Sequence, residues 1–228
     1  PFFPVERSSD FCAVRDGAAY AFVKDVFLVR HGATAWNLGP DRRYQGSVDT
    51  PLSPVGLKQA SNVAAFFQER PIDGIISSPL RRAHDTALVI AQALDGPEVE
   101  VLPVLREFGF GVWEGKTWSE IDATFGNMRT RWLENPEGAS IPGAESVDSL
   151  FDRAEKGLSL VREYPGSSLV VVSHGAFIRA LSATLLNLPR KELNRIEQDP
   201  GSISAFRLSA TGAEAIFRNL DPAKPQRS

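Results

Sequence analysis

Two hydrophobic periods alternate along the chain. Short unbroken apolar runs, rich in β-branched and aromatic residues, recur at "DVFLVR" (25–30), "GIISS" (74–78), "EVEVLPVL" (98–105) and "SSLVVVSHG" (167–175), and such runs fit strands buried on both faces. Between them, apolar residues fall three and four apart, the period of a helix with one buried face. In "SPVGLKQASNVAAFFQER" (53–70) Ser53 suits the N-cap and Pro54 the first helical position, with Leu57, Ala60, Val63, Ala64 and Phe67 as the buried stripe. Residues 80–94, 147–164 and 176–188 read as helices in the same way, the last stopped by Pro189. Strands alternating with helices predict an α/β fold: a three-layer sandwich with a mostly parallel central sheet flanked by helices, plus a small helical cap. The segments "SISAFRLS" (202–209) and "AEAIFRNL" (213–220) add a hairpin or an edge pair.

Two stretches depart from this rhythm. Residues 1–24 form an N-terminal extension, in which 10–23 alternate around Asp16-Gly17 as a β-hairpin would; a loosely attached tail is the alternative. Residues 25–228 then make a single α/β domain, with a cap insertion over about 108–145 that holds Trp113, Trp118 and Trp132.

Composition narrows the function classes. Of 228 residues, 43% are hydrophobic and 23% charged, which is the range of a globular protein and sets disorder aside. A formal net charge of −3, with no long Lys/Arg block, disfavours a nucleic-acid partner. Without an apolar stretch of about 18 residues, no membrane span is expected, and a cytoplasmic location follows, with a removed leader ahead of Pro1 left open. Cys12 is the single cysteine, so neither an internal disulfide nor a Cys-rich zinc site can form.

Two of the three histidines occupy matching places: His31 follows "FLVR" and His174 follows "VVVS", each with a glycine after it. In parallel α/β sheets, ligands bind at the carboxyl ends of the strands, where the next helix can offer free N–H groups to an anion. Both histidines are therefore expected in one crevice. Arg30 beside His31 would repel a metal cation, so no metal or cofactor is expected. A phosphate fits better, since arginine presents a planar fork of donors. "SSPLRRAHDTA" supplies Arg81 and Arg82, one pointing inward and the other exposed. Gly32 is expected to bring the backbone close to the anion. Glu145 either orients a site arginine or opens the helix after it, His84 takes a surface or half-buried place, and Lys24 is expected to be solvated.

In order, "VRHGATAWN", "RYQGSVDTPLSPVGLKQA", "SSPLRRAHDTA", "LREFGFGVWEG", "PGAESVDSLFDRA" and "VVSHGAFIRAL" resemble the landmarks of the histidine phosphatase superfamily, also called phosphoglycerate-mutase-like. The resemblance spans roughly 25–210. It implies that His31 is a nucleophile that becomes phosphohistidine, that Arg30 and Arg82 clamp the phosphoryl oxygens, and that His174 donates to the same group. Glu107 would be the proton donor and acceptor, and Asn37 and Gln45 would line the phosphate pocket. Ala33 departs from the Glu or Gln frequent in the family, and the loop "LGPDRRY" between Asn37 and Gln45 looks longer than usual, changes that touch the substrate entrance rather than the nucleophile.

The family's active site serves hydrolysis or phosphoryl shuttling. Because "FGFGVWEGKTWSEID" follows Glu107 directly, the chain looks like the phosphatase branch. From Phe108 to Glu145, six acids (Glu114, Glu120, Asp122, Glu134, Glu137, Glu145) stand against three bases (Lys116, Arg129, Arg131), so the cap is expected to be a poor host for a doubly phosphorylated ligand. The leading expectation is a metal-independent phosphatase for a small phosphorylated metabolite. The alternatives are a phosphoglycerate-mutase-type isomerase and a non-catalytic phospho-ligand binding module.

Overall fold

The computed structural model describes residues 22–224. The expected hairpin over 10–23 falls almost entirely outside them. Six strands form one sheet: β1 (Val23–Arg30), β2 (Gly74–Ser77), β3 (Val99–Val101), β4 (Ser168–Ser173), β5 (Ile203–Ser209) and β6 (Gly212–Leu220), in the order β3-β2-β4-β1-β5-β6. The inner pairings of β1 with β4, β4 with β2 and β2 with β3 are parallel, whereas β5 runs antiparallel to both β1 and β6. The sheet is thus mixed, with the C-terminal hairpin as its antiparallel edge.

The strands bury both faces by their period of two. Along β1, Val26 and Leu28 join one core while Phe27 and Val29 join the other, and β4 divides Leu169 and Val171 from Val170 and Val172 in the same way. Helices α1 (Pro54–Phe67) and α2 (Arg81–Leu94) pack together on one face. Helices α5 (Val147–Glu163) and α6 (Gly175–Leu185) cover the other. Between β3 and α5 lie two short helices, α3 (Trp118–Phe125) and α4 (Met128–Glu134). Their Ile121 and Trp132 join Phe108, Phe110 and Trp113 in the second core.

Several local expectations are corrected. The strand expected over 98–105 stops at Val101, and Pro103, which lacks an N–H for the ladder, begins a 3-10 turn to Leu105. In α1 the stripe uses Gly56 instead of Leu57, which is 48% exposed. The reason is a backbone contact: a Cβ on either Gly32 or Gly56 would run into the main chain of the other segment. Helix α6 ends at Leu185, short of Pro189, because Asn187 turns into the left-handed region at φ 52°. Lys24 is buried rather than solvated. Its ammonium donates to the carbonyls of Val161, Arg162 and Tyr164, capping the C-terminus of α5, where a cation meets unpaired carbonyls and the negative end of the helix dipole.

Candidate active site

The sheet register brings the chemistry together. Arg30 lies opposite Ser173 across β1 and β4, and Ser77 lies opposite Val172 across β2 and β4. The next residues on each strand, His31, His174 and Ser78, therefore share the carboxyl edge. The two imidazole rings stand 5.1 Å apart, tilted by 59°, and both are buried.

Each ring has a defined partner. His31 Nδ1 lies 2.7 Å from the Gly32 carbonyl, an acceptor, so Nδ1 carries the proton and Nε2 keeps its lone pair. Burial, followed by the charges of Arg82 and Arg30, holds this imidazole well below its usual range, leaving it neutral. His174 Nε2 lies 2.7 Å from Ser78 Oγ, and that hydroxyl already accepts from the Leu80 amide. The hydroxyl can donate its own proton to Nε2 or accept one from it, according to the imidazole tautomer. Burial, with Arg82 and His31 as the next causes, also keeps His174 neutral.

Both arginines reach the same place. Arg82 is fully buried and donates through its terminal nitrogens to Val48 O and Gly46 O at 2.8 Å each. Arg81 turns outward and pairs with Asp85. Arg30 donates to the Gln198 carbonyl at 2.6 Å, and burial lowers its pKa to about 10. The Gln198 side chain is itself held by Ser202 and Ser204. Three buried nitrogens here, Arg30 Nε, Arg82 Nε and His174 Nδ1, have no hydrogen-bond partner. Buried donors left unpaired are costly, and Arg30 and Arg82 line the same cavity as His31.

Carboxylates occupy several amides at the helix starts that face this edge. Glu107 Oε1 accepts from the amides of Phe108, Ala176 and Phe177 at 2.9, 3.1 and 3.3 Å, occupying the first turn of α6. Asp49 accepts from the Arg81 amide at the start of α2. The amides of Ala176, Phe177 and Arg81 are therefore not free, although free helix amides were expected beside the guanidinium and imidazole donors. Glu107 Oε2 has only a 3.4 Å contact with Ala176 N.

Arg30, His31, Asn37, Gln45, Arg82 and Glu107 all line one cavity of about 360 Å3. Asn37 Oδ1 accepts from the Thr34 amide, and Gln45 Oε1 accepts from the Thr34 and Thr50 hydroxyls, so each amide oxygen is engaged in holding the loop after β1. Gly32 packs its backbone on α1 and is not at positive φ, so its need for glycine comes from that contact and not from the anion. His84 is half-buried on α2.

Other contributors escaped sequence reading. Glu145 does orient an arginine, Arg153, whose guanidinium donates to the carbonyls of Val104, Arg106 and Glu107. Arg42, Arg43, Arg129 and Arg179 also line the cavity, while the cap acids turn elsewhere: Glu114 to Ser47 and the Phe110 amide, Glu120 to the start of α3. Of the bases along 108–145 only Arg129 lines the cavity, whereas Arg42, Arg43 and Arg179 lie outside that stretch. No cluster of three or more His, Cys, Asp or Glu able to hold a metal occurs among the described residues, nor is any of their helices long and apolar enough to cross a membrane.

Comparison with known proteins gives a consistent picture. A probable phosphoglycerate mutase of Yersinia pestis is 38% identical over 180 residues, 78% of this chain and 82% of that one. A mycobacterial glucosyl-3-phosphoglycerate phosphatase, solved in complex with VO3, is 33% identical with a TM-score of 0.77, covering 86% of this chain and 98% of that one. A putative α-ribazole-5'-P phosphatase of Escherichia coli is 25% identical with a TM-score of 0.78, covering 89% and 99%. The family model of the histidine phosphatase superfamily, branch 1, matches residues 26–221. Sharing that family's sequence pattern and the fold of its solved phosphatases, this chain belongs to the histidine phosphatase superfamily.

Proposed function

We propose that the protein is a phosphatase that hydrolyses small phosphomonoesters through a phosphohistidine on His31, without a metal. The observation that carries this reading is that an uncharged His31 lines one cavity together with Arg30, Arg82 and Glu107, with the His174 ring 5.1 Å from that of His31. Phosphoryl transfer spreads charge over the equatorial oxygens, and catalysis depends on positioned positive charge more than on covalent help. In the first step, His31 Nε2 bonds to phosphorus as the ester P–O bond breaks, and Glu107 gives a proton to the departing alkoxide. In the second, water attacks phosphorus, the P–N bond breaks, Glu107 takes the water proton, and phosphate leaves. Asn37 and Gln45 shape the loop beside the phosphoryl group.

A second reading, phosphoryl shuttling within one substrate, draws on the relative from Yersinia pestis and on the additional arginines of the cavity. One experiment separates the two. Acid-quenched turnover of a 32P-labelled ester should trap acid-labile label on the intact chain and none on His31→Ala, with phosphate release unaffected by EDTA. Isomerisation of phosphoglycerate outpacing phosphate release would favour shuttling, and loss of activity in chelator would overturn the metal-free mechanism.

A further inference from the structure

We infer that Gln198 and Asn219 are positioning residues for Arg30, tying the grip on the phosphoryl group to the edge strand of the sheet. The inference rests on the phosphatase reading and adds to it two residues that do not line the cavity. It starts from how little holds Arg30. The guanidinium makes one hydrogen bond among the described residues, from Nη1 to the Gln198 carbonyl at 2.6 Å. It also lies against Gly175, where an added Cβ would stand 3.3 Å from Cζ. The direction of the fork is therefore set by where the Gln198 carbonyl sits.

That carbonyl is fixed by its own buried side chain. Gln198, Ser202 and Ser204 are each 2% exposed. Gln198 Nε2 donates to Ser202 Oγ at 2.7 Å, and the Ser204 hydroxyl donates to Gln198 Oε1 at 2.9 Å. The main chain of the same loop binds Arg30 and His31 directly: Arg30 N donates to Ser202 O, and Gly201 N lies 3.1 Å from the carbonyls of both residues. Asp199 adds a negative charge near Arg30. A buried amide with its hydrogen bonds met holds one geometry, and one left unmet is costly.

The outer anchor is Asn219. It sits where β6 slips register against β5, Leu220 facing Ile203 but Phe217 facing Ala205. Its φ of 50° is left-handed, a conformation that asparagine tolerates better than most residues. From there its backbone N–H donates to Ser204 Oγ at 3.0 Å. Its side chain brackets Asp199, with Oδ1 accepting from Asp199 N at 2.7 Å and Nδ2 donating to Asp199 Oδ2 at 3.1 Å. A continuous chain of hydrogen bonds thus runs from Asn219 through Ser204 and Gln198 to Arg30.

The test is calorimetric titration of the full chain with orthovanadate, a stand-in for the phosphoryl group in transfer. Gln198→Met removes the side-chain bonds and keeps the carbonyl. Since a displacement of about 1 Å at a remote support can cost up to about a hundredfold, this variant should weaken vanadate binding about tenfold or more. Asn219→Gly accepts the left-handed backbone and loses only the bracket on Asp199. It should weaken binding by a smaller factor, and it carries the test should Gln198→Met fail to fold. A double-mutant cycle separates positioning from loss of stability: in Arg30→Lys, which keeps a charge but not the fork, either substitution should cost less than about twofold. Undiminished affinity in the folded variants, or losses that add in the cycle, overturns the inference, as does an unaltered chain that takes up no vanadate. If vanadate binds but no ester is hydrolysed, the phosphatase reading fails, while the affinities still decide the role of Gln198 and Asn219.

Discussion

Glu145 and Arg153 form a two-pronged ion pair, Oε1 to Nε at 3.0 Å and Oε2 to Nη2 at 2.7 Å, with side chains only 11% and 9% exposed. The remaining donors of Arg153 hold the carbonyls of Val104, Arg106 and Glu107. The pair is thus a brace under the segment that presents Glu107 to α6. Removing one member of a buried pair strands the other, at about 3 kcal/mol.

Glu145→Gln and Arg153→Met should therefore lower unfolding free energy by roughly that amount, measured by urea titration. Because Glu107 loses its support, kcat should fall more than KM rises. A variant destabilised in urea but with unchanged kcat would show that the brace serves stability alone.

Acid should destabilise the fold through the two histidines. Both are held below their usual pKa of about 6.5 by burial first, then by neighbouring positive charge. Below pH 6.5 the unfolded chain binds protons that the folded chain refuses, so stability is fully present above that pH and declines as pH falls. Each histidine contributes a slope of about 1.4 kcal/mol per pH unit. Urea midpoints from pH 7.5 to 5 should show this decline, and His31→Gln should flatten it.

Lysine should not replace Arg82. The guanidinium spans Val48 O and Gly46 O with two separate nitrogens while lining the cavity, a reach that a single ammonium cannot reproduce. For Arg82→Lys we expect a loss of about a hundredfold in kcat/KM, equivalent to some 3 kcal/mol. Millimolar phosphate or vanadate should raise the melting temperature of the unaltered chain and leave that of the variant nearly unmoved.

Gly32→Ala tests the packing beside the nucleophile. An added Cβ would meet the Gly56 backbone, which has no rotamer to move. The Gly32 amide also donates to Thr86 Oγ1, whose hydroxyl in turn donates to the Arg82 carbonyl. The substitution should cost about 1 to 3 kcal/mol and displace His31 relative to Arg82, so calorimetry should register lower stability and assays a lower kcat.

The layered fold was legible because each element repeats its own period: β1 and β4 alternate faces, and the stripes of α2 and α5 carry helical spacing. Strand-end placement likewise gathered His31 and His174, which the register sets side by side. Side-chain direction was not legible. Lys24 reads as an ordinary surface charge until α5 supplies carbonyls to it from more than 130 residues away. Arg153 sits within an amphipathic repeat, and only the fold reveals that it turns under Glu107.

The wall formed by residues 42–45 is fastened to residues 114–118 through the main chain: Tyr44 N to Lys116 O, Gly115 N to Tyr44 O and Trp118 N to Arg42 O. Such bonds are indifferent to side-chain identity. The exposed Arg42 can therefore be exchanged while the main chain holds the wall, whereas Tyr44, packed on Phe110, Trp113 and Trp132, cannot be exchanged as freely. Changes to the side chain displayed at position 42 are thereby uncoupled from the course of the backbone that carries it.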